Sequence, residues 1–167
     1  RGVTVRTLHA LGHEIVRRAY GYRFSQAGAR LTARLAWRAV RQTGGLPPGA
    51  CLPDAAAAAA LEQATRVKEQ LLPPDEQTLD VDGLRIPLGP VFRRLEADLH
   101  RARCYGSFAD MIYWALQALR ERTALRVELQ SRFVWVLVDE YQDLNGCHVR
   151  CAELRAAPQD NLCGVGD

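Results

Sequence analysis

The stretch FVWVLVDEYQDLN, residues 133 to 145, limits the possible folds of this chain more than any other. Phe133 to Val138 is an unbroken apolar run, mostly β-branched or aromatic, and such a run reads as a strand buried on both faces of a parallel sheet. It ends abruptly in Asp139 and Glu140. In open α/β sheets, ligands bind beyond the carboxyl ends of the strands, so the two acids stand where a ligand would meet them. A strand that simply runs into a solvated turn would carry the same residue types, since Asp and Asn are common in turns. Both readings stand on the pair alone.

The remaining segments supply helices around that strand. Val3 to Arg6 is β-prone, and in TLHALGHEIVRRAY the residues Leu8, Leu11, Ile15 and Ala19 recur at helical spacing. From Tyr22 to Cys104 the pattern is helical and loosely connected. ARLTARLAWRAVRQ is followed by the Gly/Pro break GGLPPGACLP, then by DAAAAAALEQATRVKEQLL and a Pro-Pro break. The alanine tract reads as helix, because alanine is the best helix former. TLDVDGLRIPLG suits a short strand, turn and strand about Asp82-Gly83, limited by Pro87. Phe92, Leu95, Leu99 and Ala102 mark the next helix. Ser107 with Asp110 resembles a capping box, ahead of an apolar face of Phe108, Met111, Ile112, Ala115 and Leu119. A helix over 124 to 131 leads into the apolar strand. Gly146 to Ala156 reads as helix and NLCGVGD as a short strand ending in Gly-Asp. The sum is an α/β chain interrupted by a helical insertion, with no internal repeat.

Composition adds limits. A chain of 167 residues, 48% hydrophobic and 25% charged, suits one soluble domain or one domain with an insertion. A net charge of +3 permits a nucleic-acid partner without demanding one. Lys68 is the only lysine; the arginine excess suits phosphate contacts, and equally a GC-rich genome. The cysteines Cys51, Cys104, Cys147, Cys151 and Cys163 are odd in number and scattered, which excludes a disulfide framework. Cys147 and Cys151 flank His148, but no second pair at zinc spacing accompanies them, so reduced, partly buried thiols are expected. No apolar run is long enough to span a membrane and no signal peptide is visible, so a cytoplasmic location is expected. The chain starts without Met and stops just after an apolar segment, which reads as a piece of something longer.

Three stretches stand in a definite order: VTVRTLHALGHEIVR, FVWVLVDEYQDLN and NLCGVGD, with SFADMIYWAL between the first two. Together they resemble the UvrD/Rep family of superfamily 1 DNA helicases. There, a Thr-x-His segment opens a helix of the first motor subdomain, and a Phe-x-Asp helix returns the chain from an inserted subdomain. A Walker B sequence Asp-Glu-x-Gln-Asp and a strand ending in Gly-Asp follow. VDEYQDLN is highly specific, whereas TLH alone is weak. The resemblance implies a partial RecA-like P-loop NTPase sheet formed by residues 1–23 and 105–167. It further implies a mainly helical insertion over 24–104, similar to the family's subdomain 1B. It also implies a bacterial, ATP-dependent 3′-to-5′ DNA helicase or translocase, acting in repair or replication, with ATP, magnesium and single-stranded DNA as partners.

Hydrolysing a nucleotide needs a magnesium ion across the phosphates and a group that deprotonates water, tasks that two adjacent carboxylates can divide. By the resemblance, Asp139 holds the ion through water, Glu140 is the base, and Gln142 and Asp143 couple the site to its surroundings. Gly166 and Asp167 begin the phosphate-sensing motif. Thr7 and His9, where a strand hands over to a helix, would grip a phosphate of DNA; as residue types alone they also suit an N-cap and a surface histidine. The sequence departs from the family in having no G-x-x-x-x-G-K-[ST] loop and no second motor subdomain, and His148 stands where glutamine is usual. The piece by itself is therefore expected to be inactive. The alternatives are a helicase-nuclease component resembling RecB or AddA, and a non-enzymatic nucleic-acid-binding domain derived from the same fold.

Overall fold

The structure is a computed structural model describing residues 2–21, 24–44, 46, 53–156 and 160–167. In chain order its elements are α1 (Leu8–Tyr20), β1 (Ser25–Gln26), α2 (Ala29–Thr43), α3 (Pro53–Gln70), β2 (Thr78–Val81), β3 (Leu84–Pro87), α4 (Leu88–Arg101), β4 (Cys104–Tyr105), α5 (Phe108–Glu121), α6 (Thr123–Gln130), β5 (Val136–Val138), α7 (Gly146–Ala156) and β6 (Leu162–Gly164). The architecture is mixed α/β with short sheets, two of them parallel. It divides into two compact units, Arg1–Arg23 with Phe108–Asp167, and Phe24–Ser107.

The first unit is built on α5, against which α1, α6 and α7 pack. The apolar spacing seen in the sequence explains this: Ile15, Val16 and Ala19 of α1 and Met111, Ile112, Ala115 and Leu119 of α5 are all buried. Each large side chain so buried contributes about 1.5–3 kcal/mol. Gly12 lets α1 approach closely, because a Cβ there would lie 2.7 Å from Ile112 Cδ1.

Beside these helices β5 and β6 pair in parallel, with Val136 opposite Leu162 and Val138 opposite Gly164. The strand is shorter than its sequence suggests, three residues rather than six, and it is not buried on both faces. Val138 is 8% exposed, but Leu137 is 73% and Trp135 65% exposed. The strand expected at Val3 to Arg6 does not form, and Val3 and Val5 are 92% and 90% exposed. The cause is common to both corrections. A β-prone segment needs a neighbouring ladder to be held extended, and among the described residues β5 and β6 have only each other.

In the second unit α2 packs on α3 and α4. β2 and β3 form a hairpin, and its two turn residues, Asp82 and Gly83, both take positive φ, 51° and 79°. That is the requirement of the tight turn favoured between strands, and Asp-Gly meets it. The Asp80 side chain accepts a hydrogen bond from Gly83 N at 3.1 Å. The two ends of this unit meet in a small parallel pair, Ser25 beside Cys104 and Gln26 beside Tyr105. Lys68 is fully buried and pairs with Glu96 at 2.6 Å. The Gly/Pro break about residues 44–53 lies largely outside the described residues, as do Tyr22 and Cys51.

Candidate functional site

β5 delivers its last buried residue, Val138, and then two exposed acids. Asp139 Oδ1 accepts a hydrogen bond from Glu140 N at 3.1 Å, which fixes the first carboxylate over the turn. Glu140 adopts the left-handed conformation, φ 51° and ψ 46°. For a residue with a Cβ this costs about 1–3 kcal/mol, so the surroundings must hold it. They do so at two points. Gln142 Nε2 donates to Glu140 Oε2 at 2.5 Å. Tyr141 N donates to Val165 O at 3.0 Å, and Val165 N to Val138 O at 2.8 Å.

The tight helical turn Tyr141–Asp143 thus lies directly against the backbone that leaves β6. A Cβ on Gly164 would come within 2.7 Å of the Tyr141 ring, and one on Gly166 within 1.8 Å of Gln142 Oε1. Glycine at 164 is therefore a condition of the acidic turn's position. The structure brings together Asp139, Glu140, Gln142 and Gly166; Asp167 follows as an exposed tail residue.

Thr7 and His9 occupy the start of α1. The Thr7 hydroxyl caps the helix, accepting from Ala10 N at 3.1 Å. A hydroxyl that accepts in this way still has its proton to donate. His9 is exposed, and its ring meets Phe108 of α5 edge-on at 5.1 Å and His148 of α7 at 5.6 Å. His148 stands at the start of α7, where Asn145 Oδ1 accepts from its backbone N at 3.0 Å. Its Nδ1 is buried without a hydrogen-bond partner. Burial, and then the neighbouring His9 charge, hold His148 below the usual histidine range. In the sequence His148 stood out as a departure from the family pattern and as the residue flanked by Cys147 and Cys151. Its place became visible through the Asn145 cap, which aims the first turn of α7 at α1.

Close to His9 in sequence, Glu14 gathers arginines: Arg6, Arg132 at 2.6 Å and Arg18 at 3.9 Å. Burial opposes its charge, but hydrogen bonds from Arg132 and Arg6 prevail and hold the carboxyl below the usual range. The group ties residue 6 to α1 and to the approach to β5. A cavity of about 420 Å³ lined by Gln130, Phe133, Val134, Trp135 and Asn161 lies at the amino end of β5, away from the acids.

Among the described residues no three His, Cys, Asp or Glu side chains gather to hold a metal ion. Burial, with Cys147 adding to it, pushes the Cys151 thiol up to about 12, which makes it a poor ligand. Asp139 and Glu140 offer only oxygen. That fits magnesium, which takes one or two carboxylates and fills its shell with water and substrate phosphates.

Comparison with known proteins gives this arrangement its context. The sequence profile of the UvrD/REP helicase N-terminal domain matches residues 1–167. The chain belongs to the UvrD/REP helicase family. Among individual relatives of this UvrD/REP chain, the protein named as a putative ATP-dependent DNA helicase, YjcD, of Bacillus subtilis is 40% identical over 60 residues, 36% of this chain and 8% of that protein. An ATP-dependent helicase/nuclease component of Carboxydothermus hydrogenoformans is 34% identical over 76 residues, 46% of this chain and 6% of the relative. The protein of the same name from Pelotomaculum thermopropionicum is 30% identical over 112 residues, 58% and 9% respectively. The UvrD/REP chain thus spans less than a tenth of the length of these relatives. No helix among its described residues is long and apolar enough to cross a membrane.

Proposed function

We propose that this UvrD/REP chain is part of the first motor subdomain of an ATP-driven DNA helicase of bacterial cytoplasm. In this reading β5 and β6 belong to a larger RecA-like parallel sheet, and residues 24–104 are an inserted, mainly helical subdomain that tracks DNA. The observation that carries the proposal is the acidic turn: two exposed carboxylates at the carboxyl end of a parallel strand, braced from β6. Magnesium, when bound, would supply positive charge across the nucleotide phosphates. Asp139 would hold that ion through water. Glu140, kept in place by Gln142, would take the proton of the attacking water. Gly166 and Asp167 would report the state of the phosphates. At the other site, the free amides of α1 and the Thr7 hydroxyl would hold a DNA phosphate beside His9.

His148 gives the two sites a physical connection. It follows the acidic turn in sequence and its ring touches His9. A shift of the turn on hydrolysis would move the start of α7, and with it the ring that His9 rests on. The parent protein would use that coupling to move 3′ to 5′ on single-stranded DNA during repair or replication. Membership of a helicase-nuclease is the second reading, favoured by relatives that carry that name.

The test uses the parent protein with its phosphate loop. Glu140→Gln should abolish DNA-stimulated ATPase and leave nucleotide binding nearly intact, because the amide keeps the shape and loses the base. Asp139→Ala should weaken the magnesium dependence instead. Near-normal hydrolysis by Glu140→Gln would remove Glu140 as the base, and turnover by residues 1–167 alone would remove the reading of the chain as an incomplete motor.

A further inference from the structure

Glu14, near the middle of α1, faces more arginines than one carboxylate can serve. Its Oε2 pairs with Arg6 and its Oε1 with Arg132 at 2.6 Å, while Arg18 Nη1 stands 3.9 Å from Oε1, too far for a hydrogen bond. Arg18 reaches Glu128 of α6 through Nη2. Its Nη1 is buried without a hydrogen-bond partner. A fourth arginine, Arg155 in the last turn of α7, holds its guanidinium 5.0 Å from the ring centroid of Phe133, the residue after Arg132. Arg155 is only 3% exposed, and its Nη1 also lacks a partner.

A guanidinium does not give up its proton, so burying one is costly unless an anion pairs with it. Four arginines meet here with two acids, Glu14 and Glu128, which leaves two positive charges in excess. Burial, and then the charge of Arg132, work against the charge on Arg155, and Glu14 only partly offsets them. Arg6 and Arg132 are half-exposed, so a solute can reach the group from water. Guanidinium forks suit one chemistry above others, an oxyanion that accepts two N–H bonds at a time. A phosphate monoester carries roughly 1.5–2 negative charges near neutral pH, about what the cluster lacks. A backbone diester carries about half as much.

We propose that Arg18 and Arg155, with Arg6 and Arg132 at the rim, form a binding site for a phosphate dianion, either the free inorganic ion or the terminal phosphate of a nucleotide. The two unpartnered Nη1 atoms are its principal donors. This site shares no residue with the acidic turn or with Thr7 and His9, so it stands apart from the motor reading. A phosphate bound there would tie α1, α7 and the segment leading into β5 together by charge.

The experiment is a calorimetric titration of the full-length protein with inorganic phosphate and, separately, with thymidine 5′-monophosphate, while ADP and magnesium saturate the nucleotide site. Saturable binding of inorganic phosphate alone supports a site for the free ion, of the monophosphate alone a site for a nucleotide's phosphate, and of both a site for the group on either carrier. Arg155→Met and Arg18→Met should each weaken that binding about tenfold or more, as loss of a charge-assisted hydrogen bond does. Arg18→Met changes a partly exposed side chain and keeps the test decisive should Arg155→Met fail to fold. Glu14→Gln should tighten binding, because it removes the carboxylate that competes for the same arginines. No saturable binding of either compound, binding that both arginine variants leave unchanged, or binding that Glu14→Gln weakens would overturn the site.

Discussion

His148 shows how far a single residue can depart from what its type suggests. A histidine near the start of a helix is ordinarily solvated, but here burial and the charge of His9 favour its neutral form. Folding therefore competes with protonation. The unfolded chain takes up the proton first, at about the ordinary histidine value, so acid favours unfolding. The stability that comes from the neutral ring should be fully present above the unfolded value, and should fall as pH drops below about 6.5. His148→Gln should flatten that part of the profile, and urea denaturation at a series of pH values between about 5 and 8 would show it. An unchanged slope would mean that other groups carry the pH dependence. Lys68 carries a related lesson. It is a lysine, a type almost never fully buried, yet it is fully buried, paired with Glu96 and set over the Phe92 ring at 5.3 Å. No neighbour in sequence announces such a pairing, because Glu96 stands on a different helix.

At the level of elements, what was legible follows from length and periodicity. The long helices α1, α2, α4 and α5 were visible because their apolar residues repeat over several turns. The hairpin was visible because Asp82-Gly83 is a turn with a mechanism. β1 and β4 were not, since a two-residue strand has no period to read. The ends of β5 were misjudged for a different reason: an apolar run reads as a strand covered on both faces, and among the described residues β5 pairs only with β6. The positions of the acids at the strand's end were legible, whereas the bracing of their turn was not, because it depends on β6 lying alongside. That bracing makes a prediction. A methyl group on Gly164 would strike the Tyr141 ring near its root, at Cγ and Cβ as well as Cδ2, where the side chain cannot swing aside. On the proposed role of Glu140 as the base, Gly164→Ala should displace the turn that holds it and lower ATP turnover by the parent protein about tenfold or more, as misplacement of a reacting group does. Stability should fall as well, by about 1–3 kcal/mol, as overpacking usually costs. Turnover and melting temperature measured on the same preparation would test this, and unchanged turnover would show that the contact does not position Glu140.

Among the described residues, exposed large apolar side chains fall mostly in one unit. Val3, Val5, Val134, Trp135, Leu137 and Val165 are all more than half exposed, and all belong to the unit that contains β5 and β6. Soluble proteins scatter such residues singly, whereas Val134, Trp135, Leu137 and Val165 lie in or next to β5 and β6, and such a gathering marks a surface that a partner or further strand can cover. If further strands of the parent protein cover it, the same residue must have two different energetic roles. In residues 1–167 alone, Leu137 is 73% exposed, so Leu137→Glu should change stability by no more than about 0.5 kcal/mol and should reduce self-association. In the parent protein the same substitution would place a carboxylate inside a sheet covered on both faces. It would lose the roughly 1.5–3 kcal/mol of a buried leucine and add the penalty of an unpaired polar group, so a loss of several kcal/mol is expected. Urea denaturation of both proteins, with and without the substitution, measures the difference directly. A small and equal effect in both would mean that nothing covers β5 and that the sheet ends where it does here. A large effect confined to the parent would place Leu137 in the interior of the extended parallel sheet on which the motor reading depends.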